Sequence, residues 1–179
     1  PFVQGNYSND TLIENLYSVR GFIDSCREEY VLLSSCNCVT NVDFTELFDQ
    51  HSRTDADFTL MYVSSELPTD NCTEPIVLEL DTDNRITEVL LAPDISGKCN
   101  MVCGAILTKR ELLLELVSDC ISKNKLNYKR HVIQSNLEKY KFYGYEHKGY
   151  YSIISSMNTY FSSNMGLMTP EVRKDLFRI

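Results

Sequence analysis

The chain has 179 residues, 43% of them hydrophobic and 23% charged, with few Gly and Pro and a formal net charge of −8. That is the composition of one ordinary globular domain with a substantial core. It excludes nucleic acid or an anionic membrane surface as the main partner, because no basic block stands out, and no apolar run reaches the ~18–20 residues of a membrane-spanning helix.

Leu12, Leu16, Val19 and Ile23 recur at helical spacing, and Asn9 or Asp10 before them can cap that helix. Tyr30-Val31-Leu32-Leu33 is a short apolar run suited to a buried strand, and residues 34–41 are small and polar, as in a loop leaving the strand's carboxyl edge. Ligands in open α/β sheets bind beyond such edges, which makes this loop a candidate site. Asp43 with Glu46 predicts a capped short helix through Leu47, with His51 near its C-terminus as a cap, and residues 58–63 read as a second strand.

Residues 76–80 and 85–91 flank Asp81-Thr82-Asp83-Asn84, a hairpin signal in which the aspartates are solvated turn residues rather than a metal pair. A strand over 101–107 contains Gly104, where a side chain finds no room or a ligand comes close. Thr108 and Glu111 predict a capping box for a helix bearing Leu112, Leu113, Leu116, Val117 and Cys120. The basic stretch 123–130 reads as a solvated helix end, and a further helix is expected over 130–137. Residues 142–154 suggest two short strands about Lys148-Gly149, and 156–165 a helix. Thr169-Pro170-Glu171 is a well-formed helix start. Strands alternating with helices, plus a hairpin, predict an α/β fold with a mixed sheet flanked by helices.

The seven cysteines (Cys26, Cys36, Cys38, Cys72, Cys99, Cys103 and Cys120) are odd in number. They lack His partners at zinc-type spacing and sit partly within apolar runs, so no metal site is expected and the protein reads as reduced and cytoplasmic. Asn71-Cys72-Thr73 fits the glycosylation pattern but lacks a secretory context. The chain starts at Pro1 and stops at Ile179, and both ends read as cuts within a longer protein. No phosphate-binding glycine loop, zinc-protease or nucleophile-elbow motif occurs. Tyr140, Tyr143, Tyr145, Tyr150 and Tyr151 read as half-buried strand residues, with stacking on a base or sugar as the alternative.

Three stretches add a resemblance. Residues 144–151, followed by Asn158-Thr159-Tyr160-Phe161 and Asn164-Met165, resemble the segment of the ADP-glucose pyrophosphorylases (glucose-1-phosphate adenylyltransferases) that runs tyrosine-rich strand, Gly-Tyr-Trp, Asp, Val-Gly-Thr and a helix ending Ala-Asn-Met. Tyr30-Val31-Leu32-Leu33 and the loop to Val42-Asp43-Phe44 resemble its Tyr-Val, Gly-Asp-His and Lys-Met-Asp-Tyr stretch. Ile86-Thr87-Glu88 through Pro93, and Gly104-Ala105-Ile106, resemble its Ile-x-x-Phe-x-Glu-Lys-Pro and Gly-Ile-Tyr stretches.

The resemblance implies the C-terminal portion, over residues 1–179, of a Rossmann-like nucleotide-diphosphosugar transferase domain. The family's Gly-rich nucleotide loop would lie before this chain and its left-handed β-helix domain after it, leaving an exposed sheet edge. Catalytic members join ATP and glucose 1-phosphate using Mg²⁺ held by carboxylates. Here the first metal-binding Asp falls at Asn37, the second at Ile153, and the Lys that meets the sugar phosphate at Ala92, with Leu91 in place of the Glu before it. Groups of this kind are worth several kcal/mol each to a transition state.

The pattern therefore resembles the non-catalytic, regulatory-type subunit of Gram-positive bacteria. That implies no Mg²⁺ in this chain, a catalytic subunit as partner, and a sugar phosphate or nucleotide as effector, with Gly104 the residue expected to meet substrate. Two alternatives stay open. Glu146, Asp94 or Glu88 could serve as relocated ligands of an active transferase, or the chain could be an effector-binding module without a transferase partner.

Overall fold

The computed structural model describes residues 12–67 and 74–177, so the expected Asn9 or Asp10 cap and the Asn71-Cys72-Thr73 pattern lie outside the described residues. Two short helices come first, α1 (Leu12–Ser18) and α2 (Arg20–Ser25), where periodicity alone predicted one. Then follow β1 (Tyr30–Ser34), β2 (Cys38–Thr40), α3 (Phe44–Arg53), β3 (Phe58–Glu66), β4 (Ile76–Leu80), β5 (Ile86–Leu91), β6 (Lys98–Lys109) and α4 (Arg110–Ser122). A π-helical turn (Lys129–Ile133) and a 3-10 turn (Gln134–Asn136) stand where an α-helix over 130–137 was expected. β7 (Phe142–Glu146), β8 (Tyr151–Ile153), α5 (Met157–Gly166) and α6 (Pro170–Phe177) complete the order.

The main sheet runs β5-β4-β6-β3-β7, and β1 shares with β4 one flank of the long strand β6. β3 and β7 are parallel and the other pairs antiparallel, so the fold is α/β with a mixed sheet flanked by helices. An isolated bridge between Arg85 and Tyr143, and a bond from Gly144 N to Asn84 O (2.8 Å), bring the start of β5 against β7 and curl the sheet towards closure. Among the described residues β1 pairs only with β6, so its other edge faces no strand.

Alternation along β3 decides both cores, because successive side chains point to opposite faces. Phe58, Leu60 and Tyr62 join Leu113, Leu116 and Val117 of α4, Ile13 of α1 and Phe142 of β7. The rings of Phe58 and Phe142 stack with centroids 4.6 Å apart. Met61 and Val63 join Leu47 of α3 and Met101, Cys103, Ala105 and Leu107 of β6 on the other face. Burying a side chain of this size stabilises by about 1.5–3 kcal/mol.

Three local expectations change. Asp43 does cap α3, its carboxylate accepting from Thr45 N at 2.9 Å, but the helix runs on to Arg53 and Glu46 accepts instead from the Tyr145 hydroxyl at 3.1 Å. His51 is not a helix cap. It is buried on the inner side of α3 with Nδ1 2.7 Å from Thr59 Oγ1, and burial lowers its pKa. Thr108 does not cap α4, because β6 continues through Lys109 and the Thr108 hydroxyl donates to Asp57 O (2.9 Å). The hairpin turn is as expected, with Asp81 Oδ1 accepting from Asp83 N and Arg85 N, both at 2.9 Å.

Candidate functional site

The expected loop over 34–41 is only partly a loop. Cys38-Val39-Thr40 forms β2, which pairs antiparallel with β8 as Cys38↔Ile153, Val39↔Ser152 and Thr40↔Tyr151. The two strands about Lys148-Gly149 are thus not each other's partners, since β7 pairs with β3 and β8 with β2. This two-stranded ribbon brings two of the singled-out positions onto neighbouring arms, one residue out of register. Ile154 N donates to Asn37 O at 2.8 Å, and Ile153 stands opposite Cys38.

Gly104 joins them from β6. Its carbonyl accepts from Ser35 N at 2.7 Å, just past the end of β1. It lies in the gap along one flank of β6 where β4, paired at Met101, gives way to β1, which starts pairing at Ala105. With φ at +64° it occupies the left-handed region that favours glycine. A Cβ there would stand 2.8 Å from Met61 Cε and 3.2 Å from Cys38 Sγ. The room beside Gly104 is therefore filled by the protein's own side chains.

Ala92 sits at the end of the hairpin, its N–H donating to Pro75 O (2.8 Å), and it too is left-handed, with φ at 46°. Leu91 pairs with Ile76, and the next residue, Val77, pairs with Met101, three residues before Gly104 on β6. Gly104 and the ribbon therefore meet in the notch where β4 gives way to β1, whereas Ala92 lies two strands away from Gly104, beyond β4.

The notch is lined by neutral groups. Burial pushes the Cys38 thiol up to about 11, and likewise raises the pKa of Cys103 and of Tyr151. Thiols held protonated in this way are poor nucleophiles and poor ligands. Asn37, Cys38, Tyr151, Ser152 and Ile153 supply no carboxylate, so the donor set does not fit Mg²⁺, which prefers hard anionic oxygen. Among the described residues no group of three or more His, Cys, Asp or Glu is placed to hold a metal ion.

The carboxylates considered as relocated ligands are dispersed. Glu88 is exposed on β5 and Asp94 follows that strand, while Glu146 ends β7 with its carboxylate 3.6 Å from Lys148 Nζ. Glu146 belongs to a recess of about 490 Å³ beside the ribbon, with Asp43, Glu46, Tyr145 and His147 also in its wall. There burial, then the neighbouring Glu46, pushes the Tyr145 hydroxyl up to about 12. His147 Nε2 lies 3.1 Å from Tyr150 O, an acceptor only, so Nε2 carries the proton and also meets Thr40 Oγ1 at 2.9 Å. Asn41 donates to Asp175 O (2.6 Å) and Oδ1 (3.1 Å), tying α6 to the end of β2. A second recess, about 570 Å³, opens at the start of α4 between Arg27, Asp57, Lys109 and Glu115. Neither recess includes Asn37, Ala92, Gly104 or Ile153 in its wall.

Sequence reasoning did not find Met61 and Cys38 closing on Gly104, nor the wall formed by Glu46 with Tyr145. Both join residues far apart in the chain, and only the tyrosine-rich run 140–151 hinted at the second.

An α/β chain with this mixed sheet fits part of a nucleotidyltransferase domain. It is similar to proteins called glucose-1-phosphate adenylyltransferase. That of Lachnospira eligens is 24% identical over 155 residues, covering 86% of this chain and 36% of the relative. That of Clostridium acetobutylicum is 26% identical over 168 residues (92% and 43%), and that of Trichlorobacter lovleyi 25% over 176 (87% and 42%). The chain thus spans about two fifths of the length of these relatives. No protein-family model matches it. No helix among the described residues is long and apolar enough to cross a membrane.

Proposed function

We propose that the chain is part of a glucose-1-phosphate adenylyltransferase subunit that does not catalyse the transfer itself and regulates a catalytic partner subunit in glycogen synthesis. The similarity to three adenylyltransferases over most of the chain supports the family. One observation carries the non-catalytic part. Asn37 and Ile153, the two positions where the resemblance puts metal-binding carboxylates, lie on neighbouring arms of the β2–β8 ribbon, one residue out of register, and neither carries a carboxylate. An amide and an aliphatic side chain cannot hold Mg²⁺ against a triphosphate. Ala92 likewise offers no charge to a sugar phosphate, and Met61 and Cys38 close the approach to Gly104.

A sugar phosphate or nucleotide would then act on this subunit as an effector rather than as a substrate, and approach along Gly104 would require those two side chains to move. The free cysteines among the described residues fit a reducing cytoplasm as the place of action.

The test is ADP-glucose formation from ATP, glucose 1-phosphate and Mg²⁺ by the full polypeptide, alone and mixed with the catalytic subunit from the same source. Silence alone with a changed rate in the mixture is expected. Turnover by the polypeptide alone would overturn the non-catalytic reading, and an unchanged rate in the mixture would overturn the regulatory one.

A further inference from the structure

The inner face of α3 buries two side chains, Leu47 and His51, set one helical turn apart. Leu47 belongs to an apolar cluster with Met61 and Leu107. His51 is 1% exposed and meets one polar side chain, Thr59 on β3, whose Oγ1 lies 2.7 Å from Nδ1. Its Nε2 is buried too, and among the described residues no group hydrogen-bonds to it. The Tyr30 ring of β1 stands at right angles to the imidazole, with centroids 5.3 Å apart. Half of what anchors this helix to the sheet is therefore a titratable group.

A neutral imidazole fits this place, and an imidazolium does not. Protonation makes both ring nitrogens donors, and Nε2–H would become a buried, charged donor without an acceptor. The two carboxylates that act on the ring are already engaged. Asp55, after α3, is paired with Lys141 Nζ at 2.6 Å, and Asp57, ahead of β3, accepts from Lys141 N at 2.9 Å. Lys109, at the end of β6, adds a like charge. Desolvation, and then Lys109, hold the imidazole below its ordinary value against the pull of Asp57 and Asp55. The Tyr30 phenol, its own pKa raised by burial and by Glu29, stays neutral beside it.

We propose that His51 makes α3 an acid-released latch, which lifts from β3 as the imidazole takes up a proton while the sheet beneath stays folded. The packed helix resists that proton and the released helix accepts it. The latch is therefore at full strength above the ordinary histidine value of about 6.5, and weakens as pH falls from there towards the depressed value of the packed state. Release has a local consequence. Asp43 and Glu46 leave with α3, so the recess beside the ribbon loses one wall, and the bonds from Tyr145 to Glu46 and from Gln50 to Gly144 O are given up. β3 keeps its pairing with β6 and β7, and Phe58 and Leu60 keep their core on the opposite face.

The experiment is amide hydrogen exchange on the full polypeptide, each amide corrected for its intrinsic rate, with the His51 ring followed by NMR. From about pH 7.5 to about pH 5.5 the protection of the Phe48, Gln50 and His51 amides should fall about five- to tenfold, the signature of one proton taken up on release, while Leu60 and Ile106 keep theirs. His51→Asn, which can still bond Thr59 but takes up no proton, should flatten the response. His131→Asn combined with His147→Asn should leave it in place. Protection of α3 that does not change with pH, an equal fall in His51→Asn, or a fall in β3 as large as that in α3 would overturn the latch. So would a His51 ring that titrates at or above about 6.5, which is read on the unaltered protein and decides the matter even where a variant does not fold. No readout needs adenylyltransferase activity or a partner subunit, so failure of the latch and failure of the regulatory reading are told apart.

Discussion

β3 lies between β6 and β7 and hides six consecutive side chains, whereas β2 and β8 pair through three residues each and bury none of them completely. The first region is held by apolar packing on both faces of the sheet. The second leans on that packing only through Tyr151 and Cys38 and adds polar contacts: Thr40 to His147, Ile154 N to Asn37 O, and Ser152 to Ser163. The difference bears on the functional reading. Packing leaves no freedom of side-chain type at Phe58 or Leu60, but a half-buried ribbon can carry polar and charged groups. The neutral residues at Asn37 and Ile153 are therefore not forced by the core, and the fold would tolerate polar or charged side chains at both positions.

The comparison breaks if the two regions respond alike to truncation. Phe142→Ala removes one ring of the stacked pair and is expected to cost about 3–5 kcal/mol, whereas Ile153→Ala should cost roughly 1 kcal/mol or less, as partly exposed sites do. Urea unfolding of both variants measures the contrast, and equal losses would mean that the ribbon is core. Gly104→Ala tests the seam between the regions. The added Cβ meets Met61 Cε and Cys38 Sγ on a backbone with φ at +64°, and a loss of about 1–3 kcal/mol is expected. A neutral result would show that Met61 swings aside and that the notch can open.

The smallest effect sharpens the site itself. Asn37→Asp combined with Ile153→Asp puts one carboxylate on each side of the ribbon and should cost up to about 1 kcal/mol, as substitutions at partly exposed sites do. Mg²⁺ should restore that loss, because an ion bound only by the folded state stabilises it. Urea midpoints with and without Mg²⁺ read this out, and no recovery would mean that the two positions do not converge on a common ion.

Where a signal is local, the sequence discloses the structure. Asp43 as a cap, the Asp81 turn and the Thr169-Pro170 helix start all act within a few residues, and the helix through Leu113, Leu116, Val117 and Cys120 is set by spacing alone. The π-helical turn at Lys129–Ile133 escapes notice because apolar spacing does not separate one helical pitch from another over five residues. Cys38-Val39-Thr40 escapes because three residues among small polar neighbours show no period, and its partner lies more than a hundred residues away. Thr108 misleads in another way. It has the right residue type and offset for a cap, but the continuing strand places its hydroxyl on Asp57 O. At the candidate site, the neutral residue types at Asn37, Ala92 and Ile153 are visible in the chain, while the meeting of Gly104 with the ribbon depends on β6 being flanked in turn by β4 and β1.

The ribbon also has a place in time. Thr40 and His147, which meet across it, are 107 residues apart, and closing such a loop from an unfolded chain costs on the order of 4 kcal/mol of entropy. Three residue pairs offset little of that. Once β1 is zipped to β6 and β7 to β3, however, only a few residues separate each of them from β2 and β8, and the closure becomes nearly free. The sheet is therefore expected to form before the ribbon. In the native protein the order reverses, so the amides of Val39 and Ser152 should exchange with solvent while those of Leu60 and Ile106 remain protected.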